Sequence, residues 1–162
     1  MQIVGRGIGL TSGEKMNRNI DTVLGEVIAN PKVREMKKFI QHGRVTTYDH
    51  CESVARLCYE INERFSLGCD PKVLLWGAML HDFYLYDWHE KDGGTHRLHG
   101  YRHAERACRN ARKYFRVGSS ILQVIYCHMW PLNITRIPRS REAWVVCIAD
   151  KCVSLQETVL RR

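Results

Sequence analysis

The stretch Asp70–Asp82, DPKVLLWGAMLHD, predicts the central helix of the protein. Aspartate is a residue type that caps helix N-termini, and Pro71 fits the first helical position. The run KVLLWGAML is apolar on nearly every side of a helix, which is typical of a helix enclosed by others. This pattern ends at His81 and Asp82. The sequence therefore places an imidazole and a carboxylate where the central helix stops.

Helical patterns occupy most of the remaining chain. One helical stretch is predicted from about Asp21 to Gln41, with a break at Pro31, and another is predicted to begin near Thr47. From His50 onward, apolar residues recur three or four positions apart, as on one face of a helix. That face consists of Val54, Leu57, Cys58, Ile61 and Phe65. Three more helical patterns follow residue 100, so the predicted fold class is all-α.

The chain of 162 residues is long enough to bury a core as one domain. Its first residues are rich in glycine, which predicts a flexible segment over residues 1–18 and a folded domain over 19–162. Residues 84–100 include Asp92-Gly93-Gly94 and have no sustained period. We therefore predict a long loop after the His81-Asp82 pair.

Composition restricts the class of protein. No window approaches the roughly 18 unbroken apolar residues of a membrane span, and the N-terminus lacks the apolar run of a signal peptide. We therefore expect a cytoplasmic protein without a membrane partner. Seven cysteines without a C-x-x-C pair predict reduced, buried thiols. The net charge of +8 favours anionic partners, but its scattered basic residues lack helix-turn-helix or zinc-finger spacing, which disfavours nucleic acid.

Six polar residues recur on, or at the end of, apolar helix faces. A lone histidine on such a face is usually a hydrogen-bonded core residue. Several in one small domain need another explanation, because each unpaired buried polar group costs about 1–3 kcal/mol. A divalent cation binds neutral imidazoles and carboxylates together, so the sequence predicts a metal site. The six residues are His50, His81, Asp82, His103, His128 and Asp150.

The order of these residues resembles that of the HD-domain superfamily of metal-dependent phosphohydrolases. The resemblance extends over about residues 47–157, with HxxxVA at His50, HAxxA at His103 and IADK at residues 148–151. It implies a single-domain HD-type helical bundle that holds one or two divalent metal ions, without distinguishing Fe, Mn, Mg, Zn or Ni. The residues implied as the one-metal set are His50, His81, Asp82 and Asp150. His103 and His128 match positions that hold a second metal in some members.

The resemblance also implies an activity. It is that of a phosphomonoesterase or phosphodiesterase acting on a small nucleotide or other phosphorylated metabolite through metal-activated water. Catalytic roles are implied for Asp82 and Lys151. Residues predicted to bind substrate are Arg97, His99, Arg102 and Lys151. His99 would share a helix face with His103, but the HAxxA context favours His103 as the metal ligand. Residues predicted to be solvated are His42, His89 and His96.

Two other functions remain open on the sequence. One is a non-catalytic nucleotide-binding signalling module that retains the metal site, and the other is a nucleic-acid-binding protein, suggested only by the net charge. The aromatic run around Tyr84 fits either a base-stacking wall or the packing of a helix end. The run Trp130-Pro131-Leu132 has no assigned role in the resemblance. The oligomeric state, a homo-oligomer included, stays open.

Overall fold

The computed structural model describes residues 11–87 and 99–160, which form seven α-helices and a two-stranded hairpin. The prediction of an all-α fold is confirmed. A short 3₁₀ turn, Glu35–Lys38, follows the second helix. The helices are α1 (Ser12–Ala29), α2 (Pro31–Arg34), α3 (Thr47–Arg64), α4 (Pro71–Leu80), α5 (His99–Tyr114), α6 (Ser119–Cys127) and α7 (Arg141–Leu160), and the strands are β1 (Ile40–His42) and β2 (Val45–Thr46).

Helix α4 is the centre of the bundle, as its sequence predicts. The Asp70 side chain accepts a hydrogen bond from the Val73 backbone N–H at 3.0 Å, and Pro71 occupies the first turn. Residues 74–80 are all buried, and α1, α3, α6 and α7 pack around the helix. The helix ends at Leu80, with His81 as its C-cap. The two polar residues His81 and Asp82 are therefore held in the middle of the molecule.

The contact between α4 and α6 depends on a glycine. A Cβ atom added to Gly77 would lie 2.6 Å from Cγ1 and 3.0 Å from Cβ of Val124 on α6. These distances are shorter than van der Waals contact, so only glycine fits the present spacing of the two helices. The close approach brings the C-terminal ends of α4 and α6 together, and these ends carry His81 and His128.

The N-terminal region differs from the predicted helix over residues 21–41. Helix α1 begins at Ser12, where Thr11 and Glu14 form a capping box, and it ends at Ala29 before the break predicted at Pro31. Residues 40–42 form β1 rather than helix, and Gly43 turns the hairpin with a φ of 57°. The T-x-x-E pattern at residues 11–14 was the available signal for the earlier start. The domain boundary at residue 19 stays a prediction.

Several other sequence predictions concern the general character of the chain. All seven cysteines are free, and all except Cys152 are buried. In the described part of the chain, no helix combines the length and apolar character needed to cross a membrane. The predicted loop over residues 84–100 falls mostly on residues 88–98, which lie outside the described ranges, while residues 99 and 100 begin α5.

Candidate metal centre

The fold brings together the six predicted metal ligands from five helices. His50 lies in the first turn of α3, and His81 and Asp82 follow the end of α4. His103 lies on α5, and His128 follows the end of α6. Asp150 lies in the middle of α7. All six side chains are buried.

One half of the cluster contains His50, His81 and Asp150. The Asp150 Oδ1 atom lies 3.2 Å from His50 Nε2 and 3.6 Å from His81 Nε2. One potential ligand atom from each of the three residues falls within 4.8 Å of the others. Two imidazoles and a carboxylate at such separations could hold a divalent metal ion.

The other half is centred on Asp82. Its Oδ1 atom lies 3.2 Å from His103 Nε2 and 3.6 Å from His128 Nε2, and the two imidazole Nε2 atoms are 2.9 Å apart. His81, Asp82 and His128 form a second group whose ligand atoms lie within 4.8 Å of one another. His81 belongs to both groups, so the two halves are continuous.

Two polar atoms at the centre lack hydrogen bonds. His81 Nε2 and Asp82 Oδ1 are buried, and no described residue forms a hydrogen bond with either. Leaving such atoms unpaired costs about 1–3 kcal/mol each, and more for a charged carboxylate. A divalent cation would be coordinated by both atoms, so the residues present fit a metal ion.

Hydrogen bonds outside the cluster orient its imidazoles. The Nδ1 atom of His81 lies 2.6 Å from the Ala78 carbonyl oxygen, and that of His128 lies 2.7 Å from the Ile125 carbonyl oxygen. A carbonyl only accepts, so each Nδ1 carries hydrogen and each Nε2 presents a lone pair in the neutral ring. This is the tautomer that a metal ion binds through Nε2.

Sequence reasoning missed two residues that contact these ligands. Glu157 Oε2 lies 2.9 Å from Nδ1 on one side of the His50 ring, and Asp150 contacts Nε2 on the other side. Gln41 on β1 donates from Nε2 to Asp82 Oδ2 at 2.6 Å, and its Oε1 accepts from the Tyr84 hydroxyl. Glu157 lies seven residues after Asp150, on the same face of α7, which was the available signal. Gln41 had none, because it lies on an unpredicted strand.

The electrostatics of the cluster follow from burial and proximity. Burial alone would raise the pKa of Asp82, but the imidazoles of His81 and His103 hold it well below its usual range. Burial would lower the pKa of His50, yet its hydrogen bonds with Asp150 and Glu157 raise it to about 10. Burial and the neighbouring imidazoles lower the pKa of His128 to about 3. The carboxylates thus favour positive charge at the cluster, which a cation supplies.

A cleft of about 730 Å³ opens onto the cluster. The Lys151 Nζ atom lies 3.9 Å from Asp150 Oδ2 and donates to the His128 carbonyl at 2.9 Å. His42, predicted to be solvated, instead lines the cleft, with its ring centroid 5.8 Å from that of His50. The hairpin accounts for the position of His42, because β1 places this residue beside α3. The residues lining the cleft are Gln41, His42, Asp82, His103, His128, Met129, Pro131, Leu132, Asp150, Lys151 and Ser154.

The remaining predicted residues are not brought into this cleft by the described part of the chain. Arg102 is exposed on α5 and is absent from the cleft lining. His99 begins α5, but its side chain is outside the described part, as are Arg97, His89 and His96. Within the aromatic run, Phe83 packs a helix end, because it is buried beside Tyr114 at 6.0 Å between ring centroids.

Comparison with known proteins adds one finding to this geometry. A protein-family model described as "HD domain" matches residues 47–155, well over half of the chain. The matched range begins with α3 and extends into α7, so it includes all six cluster residues. No curated protein and no solved structure matches the chain.

Proposed function

The chain belongs to the HD-domain superfamily of metal-dependent phosphohydrolases, and we propose that it hydrolyses phosphate esters of a small nucleotide or other phosphorylated metabolite. The observation that carries this proposal is that His81 Nε2 and Asp82 Oδ1, buried beneath an open cleft, form no hydrogen bond with any described residue. Residues of both halves of the cluster would hold one or two divalent ions. Proposed ligands are His50, His81, Asp82, His103, His128 and Asp150.

A divalent cation bound here would supply Lewis acidity, making water nucleophilic near neutral pH and offsetting charge on phosphoryl oxygens. The protein residues position the reactants. Asp82 presents Oδ1 to one half of the cluster while Gln41 fixes its Oδ2. Lys151 holds an ammonium group at the cleft, where it is suited to attract a phosphate. Such positioning and charge stabilisation account for most of the catalysis of phosphoryl transfer.

The proposal is tested by metal analysis together with phosphate release from nucleotides, dinucleoside polyphosphates and sugar phosphates. We expect His81→Ala and Asp82→Ala to lose bound metal and to reduce turnover by at least about a thousandfold. Asp21→Ala, at an exposed carboxylate on α1, is the control and should behave as wild type.

Wild-type turnover with full metal content in either cluster variant would contradict the proposed site. A metal-loaded wild-type protein that binds nucleotides and releases no phosphate from any of these compounds would favour the non-catalytic signalling module instead.

A further inference from the structure

The segment Met129–Leu132 immediately follows the cluster residue His128 and supplies apolar side chains to the cleft. Met129, Pro131 and Leu132 all line it, together with the cluster residues Asp82, His103, His128 and Asp150. Leu132 is 48% exposed, and the same cleft is lined by carboxylates and imidazoles. An apolar surface beside a polar cluster is typical of a site that binds a ligand with one charged and one apolar end.

This apolar wall is held in place by contacts behind it. The Trp130 backbone N–H donates to the Cys127 carbonyl at 3.0 Å, and the Trp130 carbonyl accepts from Cys147 Sγ at 3.1 Å. The Trp130 ring packs edge-on against Trp144, with 5.0 Å between ring centroids. These contacts join the segment to α6 and α7, so its backbone is held at the cleft before a ligand binds. Such preorganisation reduces the entropic cost of binding.

Three polar side chains in the cleft, those of Gln41, Lys151 and Ser154, are already engaged. The Gln41 amide bonds Asp82 and Tyr84, and Ser154 Oγ donates to Asp150 Oδ1 at 3.4 Å. The Lys151 ammonium donates to the carbonyls of His128 and Cys147. Among the described lining residues outside the metal cluster, this leaves the His42 imidazole and little other hydrogen-bonding capacity for the hydroxyls of a sugar or polyol. A flat or apolar group requires none.

We propose that the cleft takes a phosphate ester whose phosphate lies at the metal cluster and whose other group is a flat or apolar ring packed against Met129, Pro131 and Leu132. The orientation of the phosphate rests on the proposed function. The wall thereby discriminates among phosphorylated compounds, favouring aromatic esters and disfavouring sugar and polyol phosphates. Hydrophobic contacts of this size discriminate by about 10-fold to 200-fold.

The test compares phenylphosphonate with methylphosphonate, which share a headgroup and cannot be hydrolysed at an ester bond. Isothermal titration calorimetry on the Mn²⁺-loaded protein should give a dissociation constant at least about tenfold lower for phenylphosphonate. Leu132→Asn should reduce this ratio to about threefold or less. Ile134→Asn is the matched control, because Ile134 is 72% exposed in the same loop but does not line the cleft.

Equal affinity for the two phosphonates, no binding of phenylphosphonate, or an unchanged ratio in Leu132→Asn would overturn this inference. Phosphate release from phenyl phosphate and from glycerol phosphate is measured in parallel. Hydrolysis without a preference for the phenyl group in binding would retain the proposed function and reject the wall. A binding preference without hydrolysis of any ester would do the reverse.

Discussion

At the residue scale, the cluster depends on side chains that fix the ligands as much as on the ligands themselves. His81 and His128 are oriented by backbone carbonyls at the ends of their helices, whereas His50 is oriented by the carboxylate of Glu157. Asp82 is oriented by a side-chain amide, because its Oδ2 atom accepts a hydrogen bond from Gln41. Side chains with this role typically affect metal affinity tenfold to a hundredfold when removed.

Gln41→Ala is therefore expected to weaken Mn²⁺ binding by about tenfold to a hundredfold. The substitution leaves Asp82 Oδ2 without its donor and the Tyr84 hydroxyl without its acceptor from this side chain. Calorimetric titration of the metal-free protein with Mn²⁺ measures the change. Gln156→Ala, at an exposed glutamine on α7, should retain wild-type affinity. If both variants bound Mn²⁺ as tightly as wild type, Gln41 would have no positioning role.

At the scale of elements, the sequence predicted what depends on local pattern. The cap at Asp70, the end of α4 at His81 and the beginning of α3 at Thr47 were all predicted and are confirmed. Periodicity placed the six polar residues on, or at the end of, inward helix faces, and the packing of the helices brings them together. The hairpin was missed because β1 is three residues long and too short to show alternation. Because the hairpin was not predicted, Gln41 and His42 were not assigned to the cleft.

Gly77→Ala tests the helix contact that brings His81 and His128 together. An added methyl group would clash with Val124, and overpacking of this kind costs about 1–3 kcal/mol, more than the roughly 1 kcal/mol gained from helix propensity. We expect a net loss of up to about 2 kcal/mol in the free energy of unfolding, measured by urea denaturation of the metal-free protein. Adding Val124→Ala relieves the clash but leaves a cavity around the smaller side chain. The double variant should therefore regain less stability from relief of the clash than it loses to that cavity.

The matched control for that substitution is Gly25→Ala on α1. A Cβ atom at Gly25 would meet nothing within 4 Å, so this variant should gain about 0.5–1 kcal/mol from helix propensity alone. Opposite signs at the two glycines would attribute the loss at Gly77 to the α4–α6 contact. A gain in stability at both positions would show that the two helices separate without cost.

At the scale of the whole molecule, the cluster connects distant parts of the chain. Its proposed ligands come from α3, from the ends of α4 and α6, from α5 and from α7, so ions bound in both halves would together link five helices. Because these groups do not converge in the unfolded chain, metal binding and folding are coupled. A ligand that binds only the folded state stabilises it by about 4 kcal/mol at a thousand times its dissociation constant.

We therefore expect Mn²⁺ at that excess to raise the free energy of unfolding by about 4 kcal/mol and EDTA to reverse the gain, as measured by urea denaturation. At a fixed Mn²⁺ concentration the gain should grow from pH 6 to pH 8, because the pKa of metal-free His50 is raised to about 10 and binding must release its proton. Asp150→Asn should fold without showing the metal-dependent gain, since the amide lacks the charge that the ion requires. Asp21→Asn, at an exposed position, should keep the metal-dependent gain.

Equal stability of the wild-type protein in Mn²⁺ and in EDTA at pH 8 would mean that the cluster binds no ion. Burial of His81 Nε2 and Asp82 Oδ1 would then be a cost of folding with no compensation from a metal.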